Sequence, residues 1–405
     1  MDHRETILFV HFGENWIRGS ERVLLDLMAG LDQRRFRALL WCNAEAIAAE
    51  ARRLGVRTFM SPMSYFLDYS SSRPSLMTFL RLVREGVRLI RRERVAIVHA
   101  NGAAPCQWMA PAARIAGVPL LAHLHAPYHK RSRYVTLLHM ASRVVGASRH
   151  VLHGLGEDGL AASRLRVVMN GIDEARLAGP DQGFRQDLGI PPEHFVILSV
   201  GSLIQRKGHD RLIATLARMR TSSPAHLVIV GEGEDRGALE QDVSRFGLRG
   251  RVHFLGGKPA LAATYRNADC FALASRVEAF GLVLAEAAVC GLPCVAVATG
   301  GIPEVVQDGR TGLLVHETEE EDIIASLARN LDRLAEDTAM RAAMGKAGQQ
   351  AVSRNFSVQR MVGEFEALYK EVTAAPAGHG WRGVALDPYL RVTSRWQRRR
   401  SRASA

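Results

Sequence analysis

The chain has 405 residues, of which 47% are hydrophobic and 23% charged, and this composition suits a globular protein of two domains. No apolar run reaches the roughly 18 residues that a membrane-spanning helix needs, so no such helix is predicted. The formal net charge of +12 favours anionic partners, such as nucleic acid, an anionic membrane surface or phosphorylated substrates.

The first residues, MDHRETILFVHF, lack a signal peptide's basic region and cleavage site and are predicted to form the first strand of a cytosolic protein. The five cysteines are scattered and odd in number, which is typical of buried thiols in a reducing compartment. Cys290 and Cys294 have no histidine partners at zinc spacing, so no metal site is predicted. Because helix-turn-helix, zinc-finger and RNA-recognition signatures are missing, we expect no nucleic-acid partner.

Short apolar runs alternate with amphipathic helical segments along the whole chain. Six runs of the first half predict strands: TILFVHF, FRALLWC, VAIVHAN, PLLAHLH, RVVGAS and RLRVVMN. Five runs of the second half do the same: FVILSVGSL, HLVIVGEG, RVHFLGG, CFALAS and PCVAVAT. Helices are predicted between them, including SERVLLDLMAGL, SLMTFLRLVREGVRLIRRER and GHDRLIATLARM. This alternation predicts parallel sheets covered by helices on both faces.

The segment 171–195 is rich in Gly, Pro and Asp and divides the predicted strands into two sets. We therefore predict an α/β protein with two doubly wound, parallel-sheet domains, at residues 1–180 and 181–356. Ligands of such sheets bind outside the carboxyl ends of the strands. A last helix is placed at 357–373 and a basic, flexible tail at 374–405.

The stretch VEAFGLVLAEAAVCGLPCVA at 277–296 places Glu286 in a helix that is otherwise apolar on every side. Such a helix is buried, and an ionised carboxylate in it is costly unless it is paired or hydrogen-bonded. Glu278 stands just before this helix, at an end that attracts anions. Glu286 lies roughly 7 Å further along the helix from Gly281, at about 1.5 Å per residue, a distance that a phosphate and a ribose of one nucleotide could span. The alternative is a glutamate that faces a polar partner across a domain boundary.

Three other segments of the second half follow strands and are expected at the same sheet edge. Arg206 and Lys207 form an adjacent pair of cations, which suits a diphosphate but is also common in solvated loops. The other features are turns whose backbone could approach a nucleotide or sugar. Their glycines are Gly201, Gly231, Gly233, Gly300 and Gly301.

GSLIQRKG, VGEG, EAFGLVLAEA and GGIPEVVQDGRTGLLV, in this order, resemble the retaining nucleotide-sugar glycosyltransferases of family four (glycosyl transferases group 1). RGSERVLLDL, VHAN, LLAHLHAP and VVMNGID extend the resemblance to the first half, so that it covers about residues 5–370. It implies a GT-B fold, in which two Rossmann-like domains face each other across a cleft. It also implies metal-independent, retaining transfer of a hexosyl group from a nucleotide sugar to a saccharide, without a cofactor.

The resemblance also implies roles for individual residues of the second half. Arg206 and Lys207 would neutralise the leaving diphosphate in place of a metal ion. Glu286 would hold the ribose hydroxyls, and Glu278 would hold hydroxyls of the transferred sugar. The base would be contacted near Gly256 to Pro259. Further donor contacts are implied at Gly201, Gly231, Gly233, Phe280, Gly281 and Leu282.

In the first half, the resemblance implies that Gly19 approaches the donor phosphates and that His125 lies at the sugar. PLLAHLHAP matches the family pattern at His125, whereas His123 is expected to be structural. The family's Gly-Gly-Ala-Glu loop is replaced by RGSE, so its first glycine has become Arg18. Either this loop lies slightly away from the phosphates or Arg18 makes a contact of its own.

Two basic features predict where the acceptor is found. In the helix at 75–94, an arginine face lies beside an apolar stripe that is expected to pack on the sheet. The tail carries seven arginines and three interleaved aromatic residues. We therefore predict a protein at the cytoplasmic face of an anionic membrane, acting on a lipid-linked or other saccharide in polysaccharide or glycolipid synthesis; a soluble acceptor is the alternative. The arginine face of the helix consists of Arg81, Arg84, Arg88 and Arg91, and its apolar stripe consists of Leu76, Leu80, Val83, Val87 and Ile90. The arginines of the tail are Arg382, Arg391, Arg395, Arg398, Arg399, Arg400 and Arg402, and its aromatic residues are Trp381, Tyr389 and Trp396.

Other functions remain open at this point. A sugar-nucleotide epimerase or hydrolase of the same fold, or a non-catalytic nucleotide-sugar binding protein, would share the nucleotide contacts. A dinucleotide-dependent dehydrogenase would need Gly-x-Gly-x-x-Gly after a strand, and HFGENWIRG lacks that spacing. The donor base, whether UDP, GDP or ADP, and the identity of the sugar are also open.

Overall fold

The computed structural model describes residues 3–66, 75–178, 183–257 and 262–374. The basic tail after Ala374 lies outside these ranges. So does the part of the predicted base-contact segment that includes Pro259.

The strands and helices alternate along the chain. The strands are β1 Glu5–His11, β2 Phe36–Cys42, β3 Arg57–Met60, β4 Val95–Asn101, β5 Leu120–Leu124, β6 Arg143–Gly146, β7 Leu165–Val167, β8 Phe195–Val200, β9 Ala225–Val230, β10 Val252–Phe254, β11 Cys270–Leu273, β12 Cys294–Val297 and β13 Gly312–Val315. The α-helices are α1 Gly19–Gly30, α2 Glu45–Arg53, α3 Leu76–Arg92, α4 Cys106–Ala116, α5 Lys130–Val135, α6 Phe184–Asp187, α7 His209–Arg218, α8 Arg236–Arg245, α9 Ala262–Arg266, α10 Leu282–Val289, α11 Ile302–Val305, α12 Glu320–Glu336, α13 Thr338–Asn355 and α14 Val358–Ala374. The 3-10 helices are Leu138–Met140, His150–Leu152, Ala162–Arg164, Glu174–Leu177 and Gln205–Lys207.

Two parallel sheets confirm the predicted fold class. The first has the strand order β3-β2-β1-β4-β5-β6-β7, and the second has the order β10-β9-β8-β11-β12-β13. Each order reverses once, between β1 and β4 and between β8 and β11, and ligands of such sheets bind beyond the carboxyl ends of the strands at these points.

The chain divides into two compact units. Among the described residues, the first unit contains 3–66, 75–147, 151–168 and 362–374, and the second contains 148–150, 169–178, 183–257 and 262–361. In the first unit, the central strand β1 is buried on both faces, which explains its continuous apolar run.

The eleven strands predicted from the sequence are present, and two further strands, β3 and β13, were not predicted. Both are four residues long. β3, with the sequence RTFM, is half-exposed at the edge of its sheet, and β13, with the sequence GLLV, is buried. Length does not explain the omission, because the predicted strands β6, β11 and β12 are also four residues long.

The prediction for the helix at 75–94 was partly wrong. Its buried face consists of Leu82, Val83, Gly86, Leu89 and Ile90. The first turn does not pack on the sheet, because Leu76 is 55% exposed and Leu80 is 38% exposed. The buried face follows the packing of α3 on α4, where a Cβ atom on Gly86 would lie 3.0 Å from that of Ala112.

The arginines of α3 differ in their surroundings. Arg84, Arg88 and Arg91 are exposed, whereas Arg81 pairs with Glu85 at 2.9 Å. Within the described ranges, no helix is both long enough and apolar enough to cross a membrane.

Candidate active site

Four segments of the second unit follow neighbouring strands at the carboxyl edge of its sheet. β8 is followed by Gly201 and the 3-10 turn Gln205–Lys207, β9 by Gly231, β11 by 274–281, and β12 by 298–301. Because the carboxyl ends of parallel strands lie at one edge, the sheet brings together residues that are far apart in sequence. The predicted donor-site residues therefore lie near one another.

Lys207 and Glu278 form an ion pair at this edge. The Lys207 Nζ atom is 2.5 Å from Glu278 Oε2, and the Ser275 hydroxyl donates to the same oxygen at 3.4 Å. Glu278 is buried, and the backbone amide of Ala279 donates to its other oxygen at 3.3 Å. The structure thus brings together two of the predicted catalytic side chains just before α10.

Arg276 connects the two loops that carry this ion pair. Its backbone amide donates to Arg206 O at 2.8 Å, and its Nη1 donates to Gln205 O at 2.8 Å. Its guanidinium also contacts both carboxylate oxygens of Asp210, at 2.9 and 2.7 Å. Arg206 itself is exposed and donates to Val277 O at 3.3 Å. Sequence reasoning missed Arg276, since only the sheet brings it beside Asp210.

Gly300 allows the Glu278 loop to pack against the loop after β12. A Cβ atom on Gly300, whose φ is 59°, would lie 1.7 Å from the carbonyl oxygen of Glu278. The next amide, of Gly301, donates to that oxygen at 3.0 Å. On the other side, the Ser148 hydroxyl donates to the Ala279 carbonyl at 2.6 Å. The backbone before α10 is therefore held from two sides.

Glu286 is half-buried on α10 and has a polar partner. The hydroxyl of Tyr265, a fully buried residue, donates to Glu286 Oε2 at 2.8 Å. Burial raises the pKa of Tyr265 well above its ordinary value, so the hydroxyl keeps its proton. No sequence pattern indicates Tyr265, which precedes Glu286 by 21 positions. The ribose contact of Glu286 stays a prediction.

The structure explains several glycines of the site by close packing. Cβ atoms on Gly231 and Gly233 would lie 1.9 and 2.2 Å from the carbonyl oxygens of Gly201 and Leu203. The two turns therefore touch through their backbones. Gly281 begins α10 with a φ of 89°.

The side chain of Phe280 is buried, and the donor contact of this residue stays a prediction. Its side chain is 2% exposed and packs edge to face on Phe356, with the ring centroids 5.6 Å apart. It belongs to the core of the second unit, so only its backbone could contact a donor. Leu282 is half-buried in the first turn of α10.

His125 follows β5 at the carboxyl edge of the first sheet. Its Nε2 atom lies 2.7 Å from Oδ1 of Asn101, the last residue of β4. Burial, together with the nearby His11, lowers the pKa of His125 to about 3, so the ring is neutral at physiological pH. Asn101 was not among the predicted site residues, although VHAN was part of the quoted pattern.

His123 lies deeper than His125. It is fully buried, and its Nδ1 atom is 3.3 Å from Nε2 of His99, whose Nδ1 atom is 2.7 Å from the Tyr369 hydroxyl. Burial lowers the pKa of His99 to about 3. His123 therefore lies in a buried polar cluster, in keeping with the structural role expected for it.

Gly19 is the first residue of α1, and the preceding Arg18 contacts Trp16. The Arg18 guanidinium lies 3.7 Å from the centre of the Trp16 ring, and the Arg18 amide donates to Glu21 Oε2 at 3.0 Å. Arg18 thus has a partner within its own loop. A contact of Gly19 or Arg18 with a phosphate stays a prediction. In the described ranges, no group of three His, Cys, Asp or Glu side chains is placed to hold a metal ion.

Two family models match the two halves of the chain. Residues 17–176 match Glycosyltransferase Family 4, and residues 181–351 match Glycosyl transferases group 1. These matches include the predicted site residues of both sheets.

Curated relatives point to the same family. The GDP-mannose-dependent α-(1-6)-phosphatidylinositol monomannoside mannosyltransferase of Mycolicibacterium smegmatis is 31% identical over 332 residues, or 76% of this chain and 82% of the relative. The N-acetyl-α-D-glucosaminyl L-malate synthase of Bacillus anthracis is 30% identical over 209 residues, or 51% of this chain. That match spans about half (54%) of the relative's length.

Solved structures share the fold. Anabaena HepE (Alr3699) in complex with UDP has a TM-score of 0.78 at 25% identity, covering 90% of this chain and 100% of that one. A glycosyltransferase from Rickettsia africae has a TM-score of 0.79 at 18% identity, covering 92% and 99%. The two sheets and these neighbours show the GT-B fold. The chain belongs to the family-4 glycosyltransferases, the glycosyl transferases group 1.

Proposed function

We propose that this protein transfers a hexosyl group from a nucleoside-diphosphate sugar to a saccharide acceptor, with retention at the anomeric carbon and without a metal ion. The observation that carries the proposal is the Lys207–Glu278 ion pair of 2.5 Å, at the carboxyl edge of a Rossmann-like sheet in a family-4 glycosyltransferase. A nucleotide-sugar donor is supported by HepE, which is solved with UDP and with UDP-glucose, and by the GDP-mannose-dependent relative.

The leaving diphosphate would be stabilised by Lys207 and Arg206. Positively charged groups fixed where negative charge develops lower the barrier of such a reaction. Amides at the start of α10, from Gly281 onwards, add partial positive charge. Lys207 would exchange part of its contact with Glu278 for a phosphate oxygen, which would free the carboxylate to accept hydrogen bonds from sugar hydroxyls.

Glu286 would hold the ribose of the donor. A carboxylate can accept hydrogen bonds from two adjacent hydroxyls, and Tyr265 fixes one of its oxygens at 2.8 Å. In the first unit, His125 would contact the transferred sugar, and Gly19 would approach the phosphates. For retention, we propose that the departing phosphate accepts the acceptor's proton on the face where the new bond forms. The protein would contribute positioning and charge stabilisation.

The acceptor is proposed to be a saccharide held at the cytoplasmic face of a membrane, within cell-surface polysaccharide or glycolipid synthesis. The exposed first turn of α3, with Leu76 and Met77 at 55% and 78% exposure, lies in the same helix as the exposed Arg84 and Arg88. Apolar and basic side chains together favour an anionic membrane surface. The Mycolicibacterium relative is named for a phosphatidylinositol acceptor, which is a lipid.

A panel of UDP-, GDP- and ADP-sugars tests the proposal. One donor should protect the protein against thermal unfolding and release its nucleoside diphosphate only with a saccharide acceptor, in the presence of EDTA. The NMR coupling constant of the product's anomeric proton should show the donor's configuration. Donor consumption without an acceptor would instead indicate an epimerase or hydrolase, and protection without turnover would indicate a binding protein.

A further inference from the structure

Three side chains form a hydrogen-bonded row at the carboxyl edge of the first sheet. His125 Nε2 is 2.7 Å from Asn101 Oδ1, and Asn101 Nδ2 is 3.0 Å from His11 Nδ1. His11 Nε2 lies 3.4 Å from Glu21 Oε1 but is not hydrogen-bonded to it. His11 and Asn101 meet because they are register partners at the ends of β1 and β4.

Glu21 is held beside the row by its own partners. Its carboxylate is buried and accepts hydrogen bonds from the Arg18 amide and the Ser20 hydroxyl, both at 3.0 Å. It places a carboxylate near His11 Nε2 without a hydrogen bond to that nitrogen. The direction of the hydrogen bonds in the row therefore follows from Asn101.

Asn101 sets the direction of the hydrogen bonds in the row. Its side-chain nitrogen lies 3.5 Å from the carbonyl oxygen of Ser20 as well as beside His11 Nδ1. A carbonyl oxygen can only accept, so the NH2 group must face this side. His11 Nδ1 then accepts from Asn101, and His11 is a neutral ring. Burial lowers the pKa of His11, although Glu21 opposes this effect, and the net direction agrees with a neutral ring.

The other end of Asn101 determines the state of His125. With its NH2 group towards His11, Asn101 presents its carbonyl oxygen to His125 Nε2 at 2.7 Å. That nitrogen must donate, so it carries the hydrogen of the neutral imidazole. Neutral imidazole has one hydrogen and one lone pair on its two ring nitrogens, and the lone pair is therefore on Nδ1.

We infer that Asn101, oriented by the carbonyl oxygen of Ser20 and by His11 Nδ1, holds His125 in the tautomer with hydrogen on Nε2, so that Nδ1 accepts a hydrogen bond from a hydroxyl of the bound sugar. Asn101 and His11 are then positioning residues, and His125 is the group that contacts the sugar. Only the identity of the ligand rests on the proposed function; the tautomer is a property of the chain itself.

The tautomer can be measured directly. Protein labelled with 15N in its 15 histidines gives long-range 1H–15N correlations, and a His125→Gln variant assigns the His125 signals. We expect His125 Nδ1 at the shift of a nitrogen with a lone pair and Nε2 at the shift of a nitrogen with a hydrogen, without averaging. Reversed or averaged shifts in the unaltered protein would overturn the inference, whatever its transferase activity.

Two substitutions of Asn101 test the row. Asn101→Leu removes the acceptor for His125 Nε2, so the two ring nitrogens of His125 should move towards averaged shifts. Asn101→Asp accepts from both sides, so His125 should keep its hydrogen on Nε2. His11 would then lie between two carboxylates and should gain a second proton. Glu157→Gln, at an exposed position of the first unit, should leave the His125 shifts unaltered.

Transfer rates test the positioning role. Asn101→Leu removes the acceptor for His125 Nε2, and the rate should fall at least about tenfold, the usual effect of losing the partner that orients a site residue. The rate of the Asn101→Asp variant should fall less, because its carboxylate restores that acceptor. Folded Asn101→Leu with an unchanged rate would show that the tautomer does not matter for transfer. If no donor is turned over, the proposed function fails, whereas the NMR measurement still decides the tautomer.

Discussion

The ammonium group of Lys207 lies 2.5 Å from the carboxylate of Glu278, although 71 positions separate them in the sequence. The contact is possible because β8 and β11 are neighbours at the centre of the second sheet. It places a positive charge beside a buried carboxylate, at the edge where an α/β sheet binds ligands. The predictions that follow concern this pair and the residues around it.

Lys207→Ala should mainly reduce turnover. Loss of one charge-stabilising group typically costs about 3 kcal/mol, on the order of a hundredfold in rate. Steady-state kinetics with the preferred donor would measure it. Lys346→Ala, at an exposed lysine of the same unit, should leave the rate unaltered. A folded Lys207→Ala protein with normal turnover would remove Lys207 from the leaving-group role.

Glu286→Ala should weaken nucleotide binding, and Tyr265→Phe should do so to a smaller extent. The tyrosine fixes one carboxylate oxygen, and one hydrogen bond of about 1 kcal/mol corresponds to roughly fivefold in Kd. Isothermal titration with the nucleoside diphosphate would measure both variants. Tyr134→Phe, at a buried tyrosine of the first unit, is the control. Equal affinity in Glu286→Ala and the unaltered protein would refute the ribose role.

Gly300→Ala should lower activity, whereas Gly309→Ala should not. Both glycines have positive φ, at 59° and 71°, so both substitutions add backbone strain of about 1 kcal/mol. Only at Gly300 would the new methyl group meet a carbonyl oxygen, that of Glu278 at 1.7 Å, whereas the space at Gly309 is open. If the two variants are equally stable, comparing their kcat/KM values would separate the effect of backbone strain from that of displacing the Glu278 loop. Similar losses in both variants would argue against the displacement.

Stability of the first unit should fall as the pH drops from about 6.5 to about 3, because His99 is buried as a neutral ring with a pKa of about 3. In this window the unfolded chain binds a proton at this histidine that the folded chain does not. Each unit by which the pH drops therefore lowers the free energy of unfolding by about 1.4 kcal/mol. Urea unfolding at several pH values, followed by fluorescence of Trp41 and Trp108, would give the slope of the free energy of unfolding against pH. His99→Gln should reduce it by that amount, and the exposed His153→Gln should leave it unaltered. An unaltered slope in His99→Gln would contradict the prediction.

The full chain should float with anionic vesicles at low salt and be released at high salt. Basic residues near an anionic leaflet contribute about 1 kcal/mol each, and salt screens this attraction. A chain ending at Ala375 should float markedly less, and Leu76→Ser with Met77→Ser should weaken the remaining binding. Flotation is scored on gradients with anionic and neutral lipid. If the full and shortened chains both stay at the bottom with anionic lipid at low salt, the membrane assignment is wrong.

The sequence determined the class of the fold and indicated which residues belong to the candidate donor site. Apolar runs separated by helical segments predicted two parallel sheets, because strands buried on both faces need apolar residues throughout. Glu286 stood out because a carboxylate is costly in an apolar helix, and Glu278 because it stands just before that helix. Arg206 and Lys207 were recognisable as adjacent cations after a strand.

Tertiary structure decided which side chains meet. Arg276 pairs with Asp210, and Tyr265 with Glu286, across distances in sequence that no local period records. Phe280 adjoins the donor-site glycines in sequence, yet its ring is buried in the core because the chain turns at Gly281. The partners of His125 likewise depend on the sheet: β1 and β4 become neighbours only when the strands assemble, and their register alone brings His11 beside Asn101. A sequence encodes the period of each element, whereas hydrogen-bond partners at a sheet edge follow from strand order and register, which are set by long-range packing.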